Sequence, residues 1–161
     1  MMTFQIDTIT DSDREVISDL MNRFWGDDIV VVHGEVFESR DLSGYKAVME
    51  DEIVGFLHFE IQGEECEIIT LASLEEGIGI GSGLIAAVEA AARLSHCTIL
   101  SLITTNDNLH ALGFYQRRGF HFAALFPGQI DESRKLKPAI PEIGLHHIPI
   151  RDEIRLEKTL E

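Results

Sequence analysis

Apolar and polar positions along the chain change period several times, and each change marks an element. Val16, Leu20 and Phe24, with Ile17 and Met21, recur at helical spacing. They predict a helix over about 13–24, with Asp11, Ser12 and Asp13 as capping candidates. Trp25-Gly26-Asp27-Asp28 breaks it, and the β-branched run Ile29-Val30-Val31-Val32 predicts a strand. A meander follows: strands over 45–49 and 53–61 flank the turn Glu50-Asp51-Glu52, and Gln62-Gly63-Glu64 turns the chain into a strand over 66–72. Residues 84–94 carry strong helix formers, 98–104 read as a buried strand, and 108–118 form a second helix that Gly119 ends. Strands over 120–126 and 154–160 close the chain, joined by a long connection, 127–152, that shows no clear period. The order α-β-β-β-β-α-β-α-β-β predicts a mixed sheet with helices packed on it.

Length allows one domain over 1–161, able to bury roughly two thirds of its unfolded surface. Cys66 and Cys97 stand far apart with no histidine at ligand spacing, so both read as reduced core thiols and no metal site is expected. The polar first residues carry no signal pattern, and no apolar run reaches the ~18–20 residues of a membrane span. The expected location is cytoplasmic, with no membrane partner. A net charge of −15, almost all of it before residue 125, repels polyanions and excludes nucleic acid as a partner. The same field attracts cationic substrates such as amines.

The chemistry centres on Gly77-Ile78-Gly79-Ile80-Gly81-Ser82-Gly83, between a predicted strand and a predicted helix. Glycine at every second position bares one side of the backbone, and the helix that follows offers free amides and the positive end of its dipole to phosphate oxygens. A P-loop would need lysine, and Ser82-Gly83-Leu84 has none. A dinucleotide fingerprint fails because Ser82 and Leu84 stand where its third glycine belongs. A second window lies one helix and one strand later: Asn108-x-x-Ala111-x-x-x-Tyr115-x-x-x-Gly119-Phe120. Asn108, Ala111 and Tyr115 are spaced to share a helix face.

Both windows, in this order, resemble the GCN5-related N-acetyltransferases. Their pyrophosphate loop reads Gln/Arg-x-x-Gly-x-Gly/Ala; here it is Glu76-Gly77-Ile78-Gly79-Ile80-Gly81, with Glu76 in place of the usual Gln or Arg. The resemblance implies an α/β (α+β) fold, a mostly antiparallel mixed sheet flanked by helices, whose central strands splay between 66–72 and 98–104. It implies acetyl-coenzyme A as acyl donor and a primary amine, on a small molecule or a peptide, as acceptor. Glu76 and residues Gly77, Ile78, Gly79, Ile80, Gly81, Ser82 and Gly83 would hold the pyrophosphate. Main chain near Leu71 and Ser73 would pair with the pantetheine, and Asn108 would help hold that arm. Tyr115 would protonate the leaving thiolate, and Glu67, with Glu65 or a water as rival, would take the amine proton. Glu76 leaves open a catalytically silent coenzyme-binding module as the alternative. The late loop and the last strand are candidates to mediate a homodimer. Trp25 and the basic run Arg134-Lys135-x-Lys137 are further candidates for the acceptor and for an anionic group.

Overall fold

The computed structural model describes residues 3–161. In chain order the elements are β1 (Gln5–Thr8), α1 (Arg14–Trp25), β2 (Ile29–Val32), β3 (Glu35–Glu38), β4 (Ser43–Met49), β5 (Glu52–Gln62) and β6 (Glu65–Ser73). Then come α2 (Ile80–Leu94), β7 (Ile99–Thr105), α3 (Leu109–Arg117), β8 (His121–Phe126), α4 (Gln129–Leu136) and β9 (Glu153–Thr159). Seven strands form one sheet in the order β1-β4-β5-β6-β7-β9-β8, while β2 and β3 pair as a separate hairpin. Within the large sheet every neighbouring pair is antiparallel except β6 and β7. This is the mixed, mostly antiparallel class expected.

The parallel pair is also where the sheet opens. β6 and β7 are in register from Glu65↔Ile99 to Ile68↔Leu102 and no further. Residues 69–73 and 103–105 continue as strand without pairing to each other, which leaves a gap at the expected place. α2 packs on one face through Ile80, Leu84, Val88 and Ala92, every fourth residue, together with Ile85. Cys66, Ile68, Leu100, Leu102 and Tyr115 belong to that same cluster. On the opposite face α1 buries Ile17, Leu20 and Met21 against Phe56 and Ala72. The β2–β3 hairpin covers Ile69 and Ile103 on this face with Val32 and Phe37.

Three elements depart from the sequence reading. β1 belongs to the sheet because Phe4 and Ile6 alternate toward α2. β3 completes a hairpin whose turn, His33-Gly34, has positive φ at both residues (49° and 77°). α4 occupies the start of the long connection; it begins after Gly128 (φ 72°) and buries Ile130 and Ser133. The closing strand is a correction of another kind. β9 lies between β7 and β8, so it has no free edge to offer a second copy; β8 holds that edge of the sheet.

Candidate active site

The glycine segment divides into two kinds of position. Gly77 and Gly79 have φ of 80° and 88°, and a Cβ on either would meet nothing within 4 Å. They are needed for the left-handed turn itself. Gly81 and Gly83 lie inside the first turn of α2, which starts at Ile80, four residues earlier than the composition predicted. A Cβ on Gly81 would stand 2.8 Å from the Phe114 ring, and one on Gly83 3.0 Å from Phe4. These two glycines allow close packing rather than ligand approach, and this corrects the reading of four equivalent bare positions.

Gly79 is the N-cap of α2, and no side chain caps the helix. Its first amides are therefore free donors at the positive end of the dipole. Ser82 accepts hydrogen bonds from Arg118 Nε at 3.0 Å and Nη2 at 2.7 Å. The Arg118 guanidinium lies 3.5 Å over the Phe114 ring and donates to the Phe114 carbonyl at 2.9 Å. A cation thus stands beside the turn, where sequence alone showed only Glu76, which is exposed. Exposed amides, a helix N-terminus and a guanidinium together fit a diphosphate.

Asn108 is the N-cap of α3 rather than a helical residue. Its Oδ1 accepts from Ala111 N at 3.3 Å and its Nδ2 donates to Thr104 Oγ1 at 3.4 Å. Tyr115 is buried (7% exposed), edge-on between Phe114 and Phe120 with centroids 5.3 and 5.4 Å away. Burial pushes its phenol well above the usual range, opposed by the Arg118 charge, so it stays protonated. Leu71 is half-buried beside the α2 cluster, and Ser73 Oγ donates to the Glu75 carbonyl at 2.9 Å.

Across the sheet, on the face of α1 and the hairpin, one row of polar residues runs level through five strands. Glu60 of β5 pairs with Glu67 of β6, Glu67 with Ser101 of β7, Ser101 with Glu157 of β9, and Glu157 with His121 of β8. Glu67 sits one residue before the pairing of β6 and β7 ends. Burial pushes its carboxyl up to about 7; the charge of Glu65 adds to this, Arg155 opposes it, and Glu35 and Glu60 raise it further. Arg155 donates to Glu65 and, at 3.0 Å, to Glu157. Cys66 alternates to the other face, fully buried, with its thiol pushed up to about 12 by burial, by Cys97 and by the flanking glutamates. It is therefore not a nucleophile for the gap.

Comparison with known proteins now decides the family. The sequence profile described as "Acetyltransferase (GNAT) family" matches residues 14–120. The chain belongs to the GNAT acetyltransferase family. It is 42% identical over 149 residues to the uncharacterized protein YdhI of Bacillus subtilis (strain 168), covering 92% of this chain and 93% of the relative. It is 36% identical over 97 residues to blasticidin-S acetyltransferase of Streptomyces morookaense, covering 57% of this chain and 71% of the relative. A GNAT family acetyltransferase from Elizabethkingia anophelis, solved with acetyl-CoA bound, superposes with a TM-score of 0.68 at 22% identity over 98% of each chain.

The remaining candidates of this GNAT acetyltransferase are engaged elsewhere. Arg134 donates to the carbonyls of Ile140, Pro141 and Ile150, and Lys137 to that of Ile29. Lys135 pairs with Glu132. Arg134 thus pins the late connection and Lys137 ties the end of α4 to β2, while Lys135 pairs within α4 at the surface. Trp25 is 42% exposed at the end of α1, between Phe24 and Phe56. The sequence reading missed His58, which is fully buried; its Nδ1 lies 2.6 Å from Thr70 Oγ1. Burial, then the Arg14 charge, pushes it down to about 4, so it is neutral. It also missed Ser101 and Arg155, because pairing across strands is invisible in a linear reading. Among the described residues no helix is long and apolar enough to cross a membrane.

Proposed function

We propose that this chain, as one catalytic domain over 1–161, transfers the acetyl group of acetyl-coenzyme A to a primary amine by direct attack. The observation that carries the reading is the position of Glu67. It lies at the closed end of the β6–β7 gap, on the face opposite Cys66, with a carboxyl close to neutral pH in its titration. Acetyl-coenzyme A, when bound, supplies a thioester whose carbonyl carbon the amine attacks. The free amides after Gly79, with Arg118 beside them, hold the diphosphate, and main chain near Leu71 and Ser73 pairs with the pantetheine. Asn108, fixed by its own cap, steers the same arm.

The amine arrives as an ammonium and gives one proton to solvent before attack. Glu67 accepts the second from the nitrogen as the carbon–nitrogen bond forms and the carbon–sulfur bond breaks. Tyr115 gives its phenol proton to the sulfur, and solvent restores both residues. The products are an amide and a free thiol. The acetyl-CoA held by the solved Elizabethkingia relative and the activity named for the Streptomyces relative support this reading. The buried free thiols Cys66 and Cys97 support a cytoplasmic setting. The test is calorimetry with acetyl-coenzyme A, followed by acetylation of an amine panel, on wild type and Tyr115→Phe. Both proteins are expected to bind the coenzyme, and the variant to lose about 100-fold or more in kcat. Binding with no turnover of any amine by wild type would leave a silent coenzyme-binding module.

A further inference from the structure

The face that meets the acceptor carries more negative charge than one proton transfer requires. Glu60, Glu65 and Glu67 come from β5 and β6, Glu157 from β9, and Glu35 from β3, close enough for its charge to act on Glu67. The other polar or charged groups facing Glu67 are Ser101 of β7, Arg155 of β9 and, at the far end of the row, His121 of β8. Arg155 is committed to Glu65 and Glu157. No hydrogen bond or ion pair engages the carboxylates of Glu35, Glu60 or Glu67 among the described residues. Ser101 lies between Glu67 and Glu157 at the same level, fully buried, and its Oγ has no hydrogen-bond partner among the described residues. A buried hydroxyl without a partner is costly and calls for one.

We propose that the acceptor is a dication: one nitrogen is held for attack between Glu67 and Ser101 Oγ, and a second cationic group is held by Glu60 and Glu35. Glu60 stands one strand from Glu67, so the second charge sits about 5–8 Å from the reacting nitrogen. A monocation would neutralise Glu67 and leave the charges of Glu60 and Glu35, both of which act on Glu67, uncompensated. A short diamine, or an amine that also carries a guanidinium, neutralises both ends. This inference rests on the acetyl-transfer reading above.

The experiment compares matched series, propylamine to hexylamine against diaminopropane to diaminohexane, as acceptors with acetyl-coenzyme A. It uses wild type, Glu60→Gln and Glu35→Gln. Calorimetric titration of butylamine and diaminobutane into each protein is run alongside. Diamines are expected to exceed matched monoamines by about 10–100-fold in kcat/KM for wild type. Each variant is expected to cut that ratio several-fold, and the Glu60 variant to move the acid limb of the pH profile downward, because a neighbouring charge is gone. Equal kcat/KM for the two series, or a ratio that both variants leave intact, overturns the dication. If acetyl-coenzyme A gives no heat and no amine is acetylated, the acetyl-transfer reading falls and the dication with it. If the coenzyme binds and amines of both series react equally well, only the dication falls. If the coenzyme binds but nothing turns over, tighter binding of diaminobutane than butylamine supports the second-cation site, and equal binding removes it.

Discussion

On the α2 side of the β6–β7 gap the proposed ligand groups are main chain, whereas on the α1 side they are side chains. Free amides follow Gly79, while Glu60, Glu67, Ser101 and Glu157 stand level on four strands of the other face. Main-chain donors are set by backbone shape and are indifferent to pH and to the side chain they carry. In the proposed reading this lets Glu76 stand where the family usually has Gln or Arg, with Arg118 at the end of α3 placing a positive charge beside the turn. On the other face burial and the neighbouring carboxylates raise the titration of Glu67, so that half of the site depends on pH and on those neighbours.

The contrast can be broken from the acceptor side first. Glu67→Gln should lower kcat/KM by about 100-fold. In wild type the carboxyl serves as base only when ionised, so kcat/KM should rise with pH through about 7 and level off above it. The variant should lack that limb. Should Glu67→Gln keep both the rate and the limb, the base is Glu65 or a water.

A smaller effect separates the two kinds of glycine. Gly77→Ala places a side chain in a left-handed turn that has room for it but not the right backbone preference, at a local cost of ~1–2 kcal/mol. The exposed turn can relax, so acetyl-coenzyme A should bind about 10-fold more weakly with little change in Tm. Gly81→Val forces Phe114 away and should cost ~1–3 kcal/mol of global stability, read as a lower Tm. Equal Tm losses for both variants would erase the distinction. The smallest effect is expected at Arg118→Ala. Its guanidinium is partly exposed and supplements a main-chain grip, so coenzyme affinity should fall only ~3–10-fold in calorimetry. Loss of all binding would make the side chain, not the backbone, the principal holder.

The helices α1 and α3 and the strands β4 to β7 lie within a few residues of where periodicity and turn signals place them; β5 and β7 are covered on both faces and are marked by apolar runs between turns rather than by alternation. β1 was not read from the sequence, because only Phe4 and Ile6 alternate there and a four-residue strand is short against the polar residues around it. α4 escaped because its two buried residues, Ile130 and Ser133, make no apolar stripe; it is held instead by Arg134 bonding to carbonyls of the connection. The positions of Glu67 and Tyr115 came from motif and spacing. Their surroundings did not.

Local order along the chain was enough to determine the glycine turn, the helix it opens and the family to which they belong, because a left-handed turn and an uncapped helix start are properties of neighbouring residues. Tertiary structure alone decided which glycines pack and which turn, that β9 is enclosed, and that Glu60, Glu67, Ser101 and Glu157 share one level. Strand order and register bring together residues nearly a hundred positions apart, and the titration of Glu67 depends on the burial and the distant charges they supply as well as on Glu65 beside it in sequence.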